Sequence, residues 1–130
     1  MNKISIIIVS YNVRSYLSNL IDSILKSSVK NFELIIVDNN SFDGTSEYIF
    51  NNHPSIELIA NKSNVGFGKA VNQGAKIANS EYLLILNPDT IIEEETVEKL
   101  INYIETNDKI GMVGPKILNA DGSLQLSCKR

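Results

Sequence analysis

The chain has 130 residues, of which 43% are hydrophobic and 21% charged, and it carries a formal net charge of -3. That length makes one domain able to bury a core of its own, and the acidic balance speaks against a nucleic-acid surface. No stretch approaches the ~20 apolar residues of a membrane helix, and the ordinary composition excludes disorder and repeats.

Met1-Asn2-Lys3 passes straight into an apolar strand at residues 4–9, without an h-region or cleavage site, so a cytoplasmic protein is expected. The strand ends in Ser10-Tyr11-Asn12. Val13, Tyr16, Leu17, Leu20, Ile21, Ile24 and Leu25 then recur at three-and-four spacing, with Arg14, Ser18, Asn19, Asp22 and Lys26 opposite them. This spacing predicts an amphipathic helix packed on a sheet. A second strand over 32–37 ends in Asp38-Asn39-Asn40-Ser41, and a short helix over 46–51 is stopped by His53-Pro54.

A third strand begins at residue 56 and runs out at Asn61. The loop 61–66 leads into a helix over 68–78, whose face of Ala70, Val71, Gly74, Ala75 and Ala78 is small enough to bring its backbone close to the sheet. The fourth strand, 82–86, is an uninterrupted apolar run that reads as covered on both faces. Pro88 removes a ladder donor and stops it, so Asn87 and Asp89 project at the sheet edge.

Val97, Leu100, Ile101 and Ile104 mark a further helix, with Glu93, Glu94 and Glu95 read as its first turn, a structural cluster favourable to the helix dipole. Residues 116–126 predict a β-hairpin, with Asp121-Gly122 supplying positive φ angles. The chain stops at Arg130 without a capping element, so a truncated domain is expected. Cys128 has no partner and no metal or redox motif around it, which reads as an ordinary thiol in a reducing compartment.

Strands alternating with helices imply right-handed crossovers and a mostly parallel sheet; in the order 3-2-1-4, the connection reverses between the first and fourth strands. Open α/β sheets bind ligands at such a point. A single strand ending in Asn, Asp or Ser is ordinary turn chemistry, but four of them predict a shared crevice. Ser10-Tyr11-Asn12 would flank Asn87-Pro88-Asp89, with Asp38 one strand over and the loop 61–66 closing another side.

Dinucleotide binding of the usual kind is excluded, because the first turn, Ser10-Tyr11-Asn12-Val13-Arg14-Ser15, contains no glycine; Walker-type phosphate binding fails too. Gly66-Phe67-Gly68 by itself is a weak phosphate cradle. Asp89 is the metal candidate, since Mg²⁺ and Mn²⁺ take one or two protein carboxylates and complete their shell with water and substrate phosphate; the same residue also suits a tight turn. Tyr11 follows a strand terminus and is placed to meet a ligand, whereas Tyr48, Tyr82 and Tyr103 read as packing. Asp43 and Gly44 read as turn residues that cap the short helix with Thr45 or Ser46, and His53, with no second ligand in reach, as a solvated side chain.

Four segments in order now carry a resemblance: Ile7-Ile8-Val9-Ser10-Tyr11-Asn12, Val37-Asp38-Asn39-Asn40-Ser41-Phe42-Asp43-Gly44-Thr45, Asn64-Val65-Gly66-Phe67-Gly68-Lys69-Ala70-Val71-Asn72-Gln73-Gly74, and Leu86-Asn87-Pro88-Asp89. Together they resemble a family 2 glycosyltransferase of the GT-A fold, over essentially the whole chain. The Asn-Pro-Asp version, with Pro115-Lys116-Ile117-Leu118 and the hairpin after it, is similar to the rhamnosyltransferase-like branch.

The resemblance implies a Rossmann-like α/β nucleotide-sugar-binding fold over residues 1–130, the N-terminal donor half of an enzyme. Such an enzyme moves a sugar, with inversion, from a nucleotide-diphosphate sugar to a glycan or lipid-linked acceptor in cell-surface polysaccharide biosynthesis. Its expected place is the cytoplasm, with peripheral association open to the full-length protein at the inner face of the membrane. Ser10 and Tyr11 resemble the strand end that meets the nucleotide, Asp38 the carboxylate that reads the base, and Asn40 a residue shaping that pocket. Asn64 and Gly66 resemble the loop closing over the nucleoside, and Asp89 the final carboxylate of the Asp-x-Asp pattern that holds Mg²⁺ or Mn²⁺ on the diphosphate.

Two positions depart from the family. Asn87 replaces the first Asp of that pattern, so one anionic ligand becomes an amide that can face the sugar; Val71 stands where many relatives carry Arg, leaving Lys69 as the nearby cation. No residue matches the family's general base, which is expected beyond Arg130, so weak or absent transfer is expected of this chain. The rival reading is a non-catalytic nucleotide-binding α/β module. A receiver would need an acidic pair after the first strand, and a sugar nucleotidyltransferase a Gly-rich, Arg-containing loop there; neither is present.

Overall fold

A computed structural model describes residues 3–126, so Cys128 lies outside the described residues. Eight elements alternate along them: β1 (Ile4–Ser10), α1 (Arg14–Leu25), β2 (Phe32–Asp38), α2 (Thr45–Asn52), β3 (Glu57–Ala60), α3 (Phe67–Ile77), β4 (Tyr82–Leu86) and α4 (Thr96–Glu105). The strands form one parallel sheet in the order β3-β2-β1-β4, as expected from the sequence. Register places Ser10 opposite Asp38, Ile8 opposite Leu86 and Asp38 opposite Ala60. The chain leaving β4 at Asn87 therefore runs past the end of β1, and Asn61 leaves β3 beside Asn39.

Alternate residues of the central strands feed two layers. Ile6, Ile8, Leu34 and Ile36 pack with Leu17, Leu20, Ile21 and Ile24 of α1 and Ile49 of α2, while Val97 and Ile101 of α4 join around Ile4. On the opposite face Val9, Val37 and Ala70 form a smaller cluster beneath α3. There a Cβ built on Gly74 would stand 2.7 Å from Ile7 Cγ2, and Ile7 is fully buried. Gly74→Ala should gain about 1 kcal/mol of helix propensity and lose about 1–3 to overpacking, a net loss of about 1 kcal/mol. Urea unfolding reads this directly, and a variant more stable than the parent would mean that Ile7 yields freely.

Three expectations change. The fourth strand is covered on one face only: Tyr82, Leu84 and Leu86 are partly buried, but Leu83 and Ile85 are each 49% exposed. They lie in register with Ser5 and Ile7 on the α3 side, and one helix about 10 Å wide covers roughly two strands at ~4.8 Å spacing; α3 lies over β1 and β2. The second change concerns α4, which begins at Thr96, after the acidic cluster. Glu94 uses its carbonyl to accept from Ser28 N at 2.9 Å, and Glu95 pairs with Lys99 at 2.7 Å. Thirdly, the hairpin is reduced to one antiparallel bridge between Leu118 and Leu124, with Gly122 alone at positive φ. Asp121 holds that turn by accepting from Ser123 N at 2.9 Å and Oγ at 2.6 Å. Among the described residues no helix is long and apolar enough to cross a membrane.

Candidate functional site at the carboxyl edge of the sheet

The loops after β1 and β2 are stitched together. Asn39 N donates to the Ser10 carbonyl at 2.8 Å, Asn12 N to Ser41 Oγ at 2.9 Å, and Phe42 N to Asn12 Oδ1 at 2.7 Å. Asn12 and Asn40 have φ of 54° and 69°, the left-handed region that asparagine tolerates better than most residues. Asp43 completes the seam: one oxygen accepts from Arg14 N at 2.9 Å, and the other from Thr45 N at 3.1 Å and Thr45 Oγ1 at 2.6 Å. Neither helix has a side-chain cap from its own N-cap residue, Val13 or Gly44, so one carboxylate serves the first turns of both α1 and α2. Burial pushes the Asp43 carboxyl up, but the donors of Thr45 and Arg14 outweigh it and hold it below its ordinary value.

Asp38, 2% exposed, points to the α1 and α2 side. One of its oxygens accepts from Ser41 Oγ, the other from Ser46 Oγ at 2.7 Å and Ser41 N at 3.3 Å. Three of its roughly four acceptor positions are thus taken up by the two serines. Ser10, on the same face, is fully buried and its hydroxyl has no hydrogen-bond partner among the described residues. Tyr11, just beyond it, is 45% exposed, and Asn40 is half-buried.

On the α3 side stand three amides. Asn39, 2% exposed, meets Asn61 at the end of β3, and Asn61 meets Gln73 of α3. Sequence reasoning passed over Asn39, yet alternation in a strand puts it on the face opposite Asp38, where α3 enters. Asn64 Oδ1 accepts from Gly66 N at 2.9 Å, and Gly66 has φ of 85°. A Cβ on Gly66 or Gly68 would meet only open space, so the loop has room above it. The first turn of α3 carries neither a side-chain cap nor an acid, leaving its backbone N–H groups and dipole available to an anion. Lys69 stands exposed in that turn.

After β4 the Asn87 carbonyl accepts from Thr90 Oγ1 at 2.8 Å and Thr90 N at 3.3 Å, closing a turn that leaves the side chains of Asn87 and Asp89 exposed. With Val13, Tyr16 and Pro88 they line an open depression of about 510 Å³. No group of three or more His, Cys, Asp or Glu side chains that could hold a metal occurs among the described residues. Asp89 with the Asn87 amide fits a different arrangement, one protein carboxylate with the shell completed by substrate phosphate and water.

All nine residues singled out from the sequence stand at the carboxyl edge of the sheet or in the first turn of α3, with Asp38 turned inward. Two expectations at the periphery change. His53 is half-buried and engaged, not a free solvated side chain: its Nε2 lies 3.1 Å from Tyr48 Oη with the rings edge to face, and the Arg14 guanidinium sits 5.0 Å from the Tyr48 ring centre, tying α1 to α2. Tyr103 is 54% exposed and packs little.

The family model described as Glycosyl transferase family 2 matches residues 5–125. The minor teichoic acid biosynthesis protein GgaB of Bacillus subtilis is 34% identical over 125 residues, which cover 91% of this chain and 14% of GgaB. The crystal structure of S. aureus TarS 1-349 in complex with UDP-GlcNAc superposes with a TM-score of 0.72 at 26% identity, over 88% of this chain and 37% of that one. The fold is shared also by the mannosyltransferase PcManGT from Pyrobaculum calidifontis in complex with GDP-Man and Mn²⁺, with a TM-score of 0.76 at 20% identity, over 90% of this chain and 36% of that one. The chain thus spans between 14% and 37% of the length of these proteins.

Proposed function

This chain belongs to glycosyl transferase family 2, and from that premise we propose that it is the donor-binding part of an enzyme that moves a sugar from a nucleotide-diphosphate sugar to a glycan or lipid-linked acceptor. We assign the reaction to cell-surface polysaccharide biosynthesis, with inversion, carried out in the cytoplasm at a membrane face. The Asn87-Pro88-Asp89 form and the segment from Pro115 favour the rhamnosyltransferase-like branch. The observation that carries the reading is the convergence of four strand ends and the open amino terminus of α3 on one edge of the sheet. The complexes of TarS with UDP-GlcNAc and of PcManGT with GDP-Man and Mn²⁺ support a nucleotide-sugar donor.

In this reading the exposed ring of Tyr11, carried on the strand end that buried Ser10 anchors, meets the nucleoside, Asp38 and Asn40 frame the base pocket, and Asn64 and Gly66 form the loop that closes over it. The first turn of α3, with Lys69, faces the diphosphate, and the Asn87 amide offers a donor and an acceptor to a sugar hydroxyl. Asp89 holds Mg²⁺ or Mn²⁺, which when bound neutralises the charge gathering on the leaving phosphate oxygens. The acceptor's proton must go to a base within hydrogen-bond reach, and we assign none to this chain. The 130-residue chain should therefore bind UDP or GDP with Mn²⁺ in a calorimeter yet turn over nucleotide sugars weakly or not at all. Robust transfer by it would overturn the missing base, and no binding of any nucleoside diphosphate would overturn the site.

A further inference from the structure

The segment that leaves β4 forms a trough with α1. Ile92 N donates to Ser23 Oγ at 3.3 Å, and the Glu94 carbonyl accepts from Ser28 N at 2.9 Å. From Ser23 to Ser28 a helix advances about 7.5 Å, and from Ile92 to Glu94 an extended chain advances about 7 Å, so the two run side by side in the same direction. Followed back to the carboxyl edge, this alignment brings Asn87, Pro88 and Asp89 level with Val13 and Tyr16, with which they share the open depression. Next along α1 comes a second depression of about 490 Å³, with Asn19, Asp22 and Lys26 on the helix side and Ile91 and Glu94 on the other. The two are successive lengths of one trough, which from Val13 to Lys26 extends about 20 Å away from the Asn87-Pro88-Asp89 turn.

Its walls mix apolar and polar groups. Tyr16, whose spacing assigns it to the packing face of α1, is 59% exposed, and Ile91 is 75% exposed. Asn19, Asp22, Lys26 and Glu94 are exposed, and the three charged ones form no ion pair among the described residues. A sugar ring has the matching character: a face of C–H groups that packs on an aromatic or aliphatic side chain, and a rim of hydroxyls that both donate and accept. Asn19 and Lys26 can donate to such hydroxyls, and Asp22 and Glu94 can accept from them. With Asp89 at its mouth the trough carries three carboxylates against one ammonium, which repels a phosphate-bearing polymer and leaves an uncharged one unaffected. We propose that this trough is the acceptor track: an uncharged glycan lies along α1, the end to be extended resting on the Tyr16 ring beside Asn87 and Asp89, and its inner sugars over Asn19, Asp22 and Ile91. The inference rests on the sugar-transfer reading above and narrows the acceptor to an uncharged chain.

Nitrogen-15 NMR titration of the 130-residue chain tests this with three probes of similar length: a tetrasaccharide of N-acetylglucosamine, a tetrasaccharide of rhamnose and a tetramer of glycerol phosphate. The backbone amides of Tyr16, Asn19 and Ile91 should shift with at least one of the uncharged probes, which should bind at least about fivefold more tightly than the phosphate oligomer. Tyr16→Ala should weaken that probe about tenfold and Asn19→Ala about threefold, while Tyr16→Phe keeps the ring and should stay within about twofold. Both positions are exposed, so thermal midpoints should hold and the losses should report binding. Asp22→Lys should tighten the phosphate oligomer about threefold or more by reversing a charge. No shift along the trough with any probe, or a Tyr16→Ala chain that binds the sugars like the parent, would overturn the track. A phosphate oligomer bound as tightly as the sugars would overturn the uncharged class. UDP with Mn²⁺ is titrated separately: sugar shifts without UDP binding would overturn the donor reading and leave the track, whereas UDP binding without sugar shifts would overturn the track alone.

Discussion

Asp89→Ala is expected to weaken Mn²⁺-dependent binding of UDP or GDP by about a hundredfold, ~2.7 kcal/mol, while leaving the thermal midpoint where it was. Asp89 is the only carboxylate in the Asn87-Pro88-Asp89 turn, it is exposed, and it takes no part in an ion pair among the described residues. Its removal therefore takes nothing from the fold and the one hard anionic ligand from the metal. The neighbouring amide cannot replace it, because a neutral oxygen gives a divalent cation much less than a charge does. Asn87→Asp should act in the opposite sense, tightening Mn²⁺-dependent binding by about tenfold as a second anion joins the site. Titrations with and without EDTA separate the metal-linked part from the rest. Equal affinities in the parent and Asp89→Ala, both insensitive to EDTA, would remove Asp89 from the metal.

Most of the topology could be read from the chain because each strand is a short apolar run with its own stop signal, and because helical spacing between the runs leaves a parallel sheet as the natural closure. What an apolar run does not disclose is how many of its faces find a partner. Leu83 and Ile85 have the residue types of a doubly covered strand, yet the single helix on their face lies over β1 and β2. The candidate site was legible to the same depth. Turn-type residues after each strand marked the edge, but a strand's alternation sends Asp38 and Asn39 to opposite layers, and only three-dimensional neighbours reveal which one is consumed by serines and which one joins a network. His53 is a similar case: its partners Tyr48 and Arg14 come from helix geometry and from another element, neither of which its own flanking residues announce.

The fold also depends on Asp43, and here the expectation is a loss of stability. Asp43→Ala should destabilise the chain by about 2–3 kcal/mol, since each helix cap is worth about 0.5–2 and this carboxylate caps two helices at once. Asp43→Asn should fall between, because its single remaining oxygen can serve Arg14 N or Thr45 N but its NH₂ group cannot accept from the other. The pH dependence has a definite sign. A carboxyl held below its ordinary value in the folded chain stabilises it above the unfolded pKa of about 3.9, and that contribution fades as the pH falls through the lower folded value. The gap between parent and Asp43→Ala in urea unfolding should therefore be level from about pH 5 to 8 and narrow below about pH 4, as the parent weakens. Binding should suffer as well, because the seam that Asp43 closes holds Ser10-Tyr11-Asn12 against the loop that carries Asn39 and Asn40. UDP affinity ought to drop even at temperatures where Asp43→Ala remains fully folded. A variant with the parent's urea midpoint at neutral pH, or a gap that stays constant to about pH 2.5, would show that the two helices start without this carboxylate.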